Sequence, residues 1–138
     1  MTDDRVIVVE GGQDRKRLAR ILAEPVDIIC TNGTVSAYRL EELLAPYEQH
    51  ELYVFVDADE SGEKIRVLFK QEFPAAIHLY TEKIYKEVET TPYKVLATIL
   101  SEVNFDIHPQ YLLDSAGSPN SLPNQVKPPA DVTNFDRS

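Results

Sequence analysis

Two apolar runs end in carboxylates followed by glycine, and this constrains the fold more than any other feature of the chain. The first is Val6-Ile7-Val8-Val9-Glu10-Gly11-Gly12, and the second is Leu52-Tyr53-Val54-Phe55-Val56-Asp57-Ala58-Asp59-Glu60-Ser61-Gly62. Short runs rich in β-branched residues predict strands buried on both faces, as in a parallel sheet. Ligands of an open parallel sheet lie outside the carboxyl ends of its strands. If the two strands are neighbours, Glu10, Asp57 and Asp59 meet at that edge. Asp57 and Asp59 are two apart, so extended backbone turns both to the same side. Three acids in one place repel unless a cation joins them, and hard carboxylate oxygens suit magnesium. Taken singly, each acid is equally a helix cap or a solvent-facing loop residue.

The rest of the chain fits this scheme. A helix is expected over Asp14–Ala23, with Leu18, Ile21 and Leu22 on its inner face and Pro25 as its stop. Val26–Cys30 predicts a second strand, with Cys30 as a small core residue, and Thr31-Asn32-Gly33-Thr34 a turn. A helix from about Ala37 to Leu44 ends before Pro46, and the third strand is Leu52–Val56. Asp59 or Ser61 can cap the next helix, with Ile65, Leu68 and Phe69 inward and Pro74 at its end. Ala75–Tyr80 is the fourth strand. Alternating strands and helices predict an α/β fold, a four-stranded parallel sheet flanked by helices.

Beyond Tyr80 the pattern changes. Lys83–Val88 reads as a strand or an irregular charged segment. Thr91-Pro92 is a helix start, with Thr91 as N-cap, for a helix reaching Val103. Its apolar face is Val95, Leu96, Ile99, Leu100 and Val103. From Asp114 the chain is rich in Pro, Ser and Asn, as in a linker. Three regions follow: a domain over 5–80, a helical extension over 81–113 and an extended proline-rich tail over 114–138. The tail carries Leu122, Val126, Val132 and Phe135 among prolines, which suits it to a groove on a second copy, so a homodimer is expected.

Composition narrows the partners. With 138 residues the chain is long enough for one domain with a core. A formal net charge of -9 argues against broad binding to anionic membranes or unaided binding along nucleic acid, though not against a local basic patch. One cysteine excludes an internal disulfide framework. The start Met1-Thr2-Asp3-Asp4-Arg5 lacks signal-peptide character, and no apolar run reaches membrane-spanning length. A soluble cytoplasmic protein is expected.

Basic residues open two helices: Arg15, Lys16 and Arg17 in the first, Lys64 and Arg66 in the third. Cations there oppose the helix dipole, which a phosphate-bearing substrate would explain. A solvated face explains them almost as well, and better for Arg17 and Arg20. His50, His78 and His108 have no metal-ligand spacing. Tyr80, Tyr85, Tyr93 and Tyr111 read as packing residues. Neither a Walker-type phosphate loop nor a dinucleotide fingerprint is present.

Val8-Val9-Glu10-Gly11, the Asn32-Gly33 turn and Phe55-Val56-Asp57-Ala58-Asp59-Glu60-Ser61-Gly62, in that order, resemble a Toprim domain over about Arg5 to Tyr80. Toprim domains occur in topoisomerases, bacterial primases, nucleases and repair proteins. Among them the ribonuclease that matures small ribosomal RNA is most similar, in its Asn-Gly turn and its counterpart of Gly62-Glu63-Lys64-Ile65-Arg66. The whole chain resembles a small stand-alone bacterial Toprim protein. The resemblance implies that Glu10 serves as general acid or base or helps hold metal, and that Asp57 and Asp59 hold Mg2+, with Mn2+ as a substitute. Arg15, Lys16, Asn32, Gly33, Gly62 and Lys64 would then contact a nucleic-acid substrate, RNA or DNA. One departure is Gly12, where the related ribonuclease often has lysine. Another is the lack of a partner domain to supply a nucleophile. The expectation is magnesium-dependent phosphodiester processing, as in a nuclease. The rival is a non-catalytic binding or scaffolding module of a larger nucleic-acid complex, joined by a partner protein. A small-molecule phosphohydrolase is weaker, for want of a nucleotide loop.

Overall fold

The computed structural model describes residues 4–33, 35–81 and 86–113. The expected tail, and Tyr85, lie outside the described residues. Strands β1 (Arg5–Val9), β2 (Asp27–Cys30), β3 (Glu51–Val54) and β4 (Ile77–His78) form one sheet in the order β2-β1-β3-β4. All pairings are parallel, with Val9 opposite Cys30 and Val8 opposite Val54. Ladder bonds continue past the strand ends: Phe55 N–H donates to the Val8 carbonyl at 2.8 Å and Leu79 N–H to that of Val54 at 2.8 Å. β4 is shorter than the expected Ala75–Tyr80, because only its middle pairs with β3.

Helices α1 (Gly12–Ile21), α2 (Ala37–Leu44), α3 (Glu60–Glu72) and α4 (Tyr93–Glu102) cover the sheet. Alternation along β1 and β3 sorts the core into two layers. Val6, Val8, Leu52, Val54 and Val56 pack with Leu40 and Leu44 of α2 and Ile65 and Phe69 of α3. Ile7, Val9, Tyr53 and Phe55 face the other side and are buried. On that side lie α1 and α4, tied together through Ala23 N–H to the Asp106 carbonyl at 2.9 Å and His108 N–H to that of Ile21 at 2.9 Å. Phe105 meets Tyr53 edge-on at 4.9 Å between ring centres.

The starts of the elements follow local chemistry. Ser36 caps α2 by accepting from Arg39 N–H, and Asp59 caps α3 by accepting from Gly62 N–H at 2.7 Å. α1 begins at Gly12, two residues before the expected start. Thr91 is not the N-cap of α4: its hydroxyl is drawn to the Glu87 carbonyl at 2.6 Å, and Pro92 takes the cap position. Cys30 is only half-buried, because β2 is the edge strand. Among the described residues no helix is long and apolar enough to cross a membrane. Residues Pro109–Tyr111 form a separate short 3-10 turn.

One side chain departs sharply from expectation. Arg66 is not a basic opening of α3 but is buried, with 1% of its surface exposed. Beyond the Leu79–Val54 bond, the Val56 and Leu79 carbonyls have no strand partner among the described residues. The Arg66 guanidinium fills the gap, donating to both at 3.0 and 2.7 Å. It also lies 3.1 Å from His78 Nδ1 and 4.0 Å from the centre of the Tyr80 ring. Burial lowers its pKa against the raising influence of Tyr80, Glu63 and Glu10, and burial together with the Arg66 charge lowers that of His78.

Candidate metal centre and active site

β1 leads to α1 on one face of the sheet, while β3 leads to α3 on the other. The carboxyl ends of these adjacent strands therefore form a topological switch point, where open α/β sheets bind ligands. Glu10 follows β1, and Asp57 and Asp59 follow β3. One Glu10 oxygen accepts from Asp57 N–H at 3.0 Å, and the other from the Ser61 hydroxyl at 3.2 Å. Asp57 Oδ1 accepts from Val88 N–H at 2.9 Å, and Asp59 Oδ1 from Gly62 N–H at 2.7 Å. The second oxygen of each aspartate carries no hydrogen bond from the described residues.

The Glu10 pKa is raised, first by burial, while the Asp57 N–H lowers it and the charges of Asp57 and Asp59 raise it again. The strands thus bring the three acids within electrostatic reach of one another. Among the described residues, no group of three acids, histidines or cysteines is close enough to enclose a metal ion unaided. Magnesium does not require that: it keeps several waters and takes one or two carboxylates. Two aspartates, each fixed by one oxygen and open at the other, fit such an ion in number and hardness.

Asn32 and Gly33 are placed beside Glu10. Both have positive φ, 60° and 102°, which the Asn-Gly pair tolerates. Asn32 N–H donates to the Glu10 carbonyl at 2.7 Å. Gly62 sits under the aspartates: a Cβ there would lie 1.9 Å from the Asp57 carbonyl oxygen. The proposed cations stand further out. Arg15 and Lys16 are exposed and line a shallow depression on the β2 side of α1. Lys64 is exposed on α3, 4.0 Å from Glu60. Arg17 is half-buried rather than solvated, and bonds to the carbonyls of Val88 and Glu89.

Two features went unread in the sequence. Asp14 is a further buried carboxylate, accepting from Gly11 N–H at 3.2 Å. Its place at i-4 from Leu18 and i-7 from Ile21, on the inward stripe, was the available signal. The other is the segment from Lys86 to Thr91, which docks on the acid loop through Ala58 N–H to the Lys86 carbonyl at 2.6 Å and through Val88 N–H.

The Asp14 pKa is pushed up to about 6, by burial first and then by the Asp57 charge. An acid whose native pKa is raised holds its proton longer in the folded than in the unfolded chain. Stability therefore falls as pH rises from the ordinary value of 3.8 through about 6. Asp14→Asn keeps an acceptor for Gly11 and removes this loss. In urea denaturation with EDTA it should be more stable than the parent by about 1–2 kcal/mol at pH 7, with the advantage shrinking below pH 5.

A cleft of about 650 Å3 lies at the opposite edge of the sheet, between Leu44, Tyr47, Leu52 and Phe73. Glu41, Glu48, Glu51 and Glu72 line it as well and would repel a phosphate.

The switch-point acids, the parallel sheet and the Asp59–Gly62 turn define a Toprim-type domain. The Toprim domain family model matches residues 5–91, and the chain belongs to that family. It is 44% identical over 109 residues to the uncharacterized protein YusF of Bacillus subtilis, covering 79% of this chain and 75% of that one. A solved structure, a small TOPRIM domain protein from Bacillus stearothermophilus, superposes with a TM-score of 0.78 at 44% identity, covering 82% of this chain and 96% of that one. Ribonuclease M5 1 of Ligilactobacillus salivarius is 37% identical over 79 residues, 56% of this chain but 42% of that protein. The chain therefore spans less than half of that ribonuclease.

Proposed function

We propose that this chain binds Mg2+, with Mn2+ as a substitute, through Asp57 and Asp59, and acts on phosphodiester bonds of nucleic acid with Glu10 as general acid or base. The observation that carries this is the docking of Glu10 on the loop that holds Asp57 and Asp59 at the switch point, through Asp57 N–H and the Ser61 hydroxyl. Family membership and the similarity to ribonuclease M5 support nucleic acid as the substrate class. When bound, the metal supplies charge stabilisation at a phosphoryl oxygen.

The chain's own residues do the rest. Val88 N–H and Gly62 N–H orient the aspartates. Glu10, held beside the aspartates by Asp57 N–H and the Ser61 hydroxyl, would exchange a proton with an attacking or leaving oxygen. α1 and α3 both start at this edge, so their positive dipole ends favour an incoming phosphate. Asn32, Gly33 and Gly62 form the wall of the site, while Arg15, Lys16 and Lys64 contact phosphates further along the strand.

Structured RNA, single-stranded DNA and duplex DNA, each incubated with Mg2+ or Mn2+, provide the test. Metal-dependent cleavage is expected on at least one, with Glu10→Gln lowering the rate by about 100-fold or more. Inactivity on all three would overturn the enzymatic half. The net charge of -9 favours that second reading, a scaffolding module that keeps the metal site without hydrolysis. Recovery of a stable partner protein would support it.

A further inference from the structure

We propose that Arg17 is a positioning residue for Asp57, acting through the segment from Lys86 to Thr91; this rests on the metal-site assignment of Asp57 above. Three remote parts of the chain meet here. Arg17 on α1 donates from Nη1 to the Val88 carbonyl at 2.7 Å and also to that of Glu89. Its guanidinium lies 4.4 Å from the centre of the Tyr93 ring at the start of α4. Val88 then turns its N–H to Asp57 Oδ1 at 2.9 Å. Arg17 thus holds one side of the Val88 residue while Asp57 takes the other.

The segment is built to transmit that constraint. Val88 and Thr91 are fully buried. The Thr91 hydroxyl bonds the Glu87 carbonyl at 2.6 Å, and Thr91 N–H bonds that of Val88 at 3.3 Å. Lys86 is tied to Ala58, the residue between the two aspartates, at 2.6 Å. The charges of Glu89 and Asp14 repel one another across this contact, and that of Arg17 offsets them. Arg17 supplies both the opposite charge and the donors. A planar guanidinium can bond two carbonyls while stacking on a ring, whereas a lysine ammonium cannot do both.

With the oxygen bonded to Val88 held in place, Asp57 presents its other oxygen in one orientation. Loss of the anchor should free the carboxylate to rotate, weakening the metal without removing a ligand. Arg17→Met keeps the aliphatic stem and removes the charge, and Arg17→Lys restores the charge alone. The experiment combines calorimetric Mg2+ titration of the full chain with amide hydrogen exchange at Val88, read by NMR. Expected for Arg17→Met is about a tenfold weaker Mg2+ affinity and about tenfold faster Val88 exchange, with exchange in β1 unchanged. Arg17→Lys should fall between the two, and it serves as the test if Arg17→Met does not fold. Mg2+ affinity and Val88 exchange both within twofold of the parent would overturn the proposal. If the parent itself binds no Mg2+, the metal assignment fails. Val88 exchange then still decides whether Arg17 anchors the segment.

Discussion

Gly62→Ala is expected to lose about 3 kcal/mol of stability and to deform the aspartate loop. A Cβ at position 62 would lie 1.9 Å from the Asp57 carbonyl oxygen and 2.9 Å from its carbonyl carbon. Both are backbone atoms, so no side-chain rotation relieves the overlap. Either α3 retreats or the Asp57 peptide turns. A retreat breaks the cap from Gly62 N–H to Asp59, and a turned peptide disturbs the Asp57 N–H that holds Glu10. Both routes should therefore cost stability and metal binding together. Urea denaturation and Mg2+ titration of the same preparation measure the two. A variant as stable as the parent, with unchanged affinity, would mean that the helix start is not packed against Asp57 as described.

Arg66→Ala has the second large effect, a loss of about 3 kcal/mol or more. Removing the guanidinium leaves the Val56 and Leu79 carbonyls buried without donors, and it opens a cavity where the side chain lay. Val56 directly precedes Asp57, so the damage should reach the site: Mg2+ affinity should fall even below the melting range. Arg66→Lys should recover only part of the stability, since one ammonium cannot bridge both carbonyls and stack on Tyr80. Urea midpoints should shift with little change in slope if the denatured state is unaffected. A shift below 1 kcal/mol would contradict the bridging role.

The parallel sheet was legible because its determinants are local. A β-branched run marks β1 and an apolar run marks β3, and Pro25, Pro46 and Pro74 follow the helices. The position of Glu10, Asp57 and Asp59 at strand ends was legible for the same reason, whereas the adjacency of β1 and β3 is a property of the sheet topology. Arg66 was harder, because a Lys-Ile-Arg sequence reads as a solvated face. Only its spacing from Gly62, Ile65 and Phe69, all buried, marks the inward stripe of α3. Arg17 and the segment from Lys86 to Thr91 carry no local signature. Their pairing is tertiary, between residues 71 and 72 positions apart, and no periodicity in either part announces it. The half-burial of Cys30 likewise follows from β2 lying at the sheet edge, a property of topology and not of the strand.

The proposed assignment places a divalent metal on Asp57 and Asp59, beside Glu10. Calorimetric titration of Mg2+ into the parent and into an Asp57→Asn/Asp59→Asn double variant tests it most directly. The amides keep the size of the side chains and an acceptor for Val88 and Gly62, so folding should survive while the charge is lost. Saturable binding by the parent and none by the double variant is the predicted result. Equal binding by both would contradict the assignment.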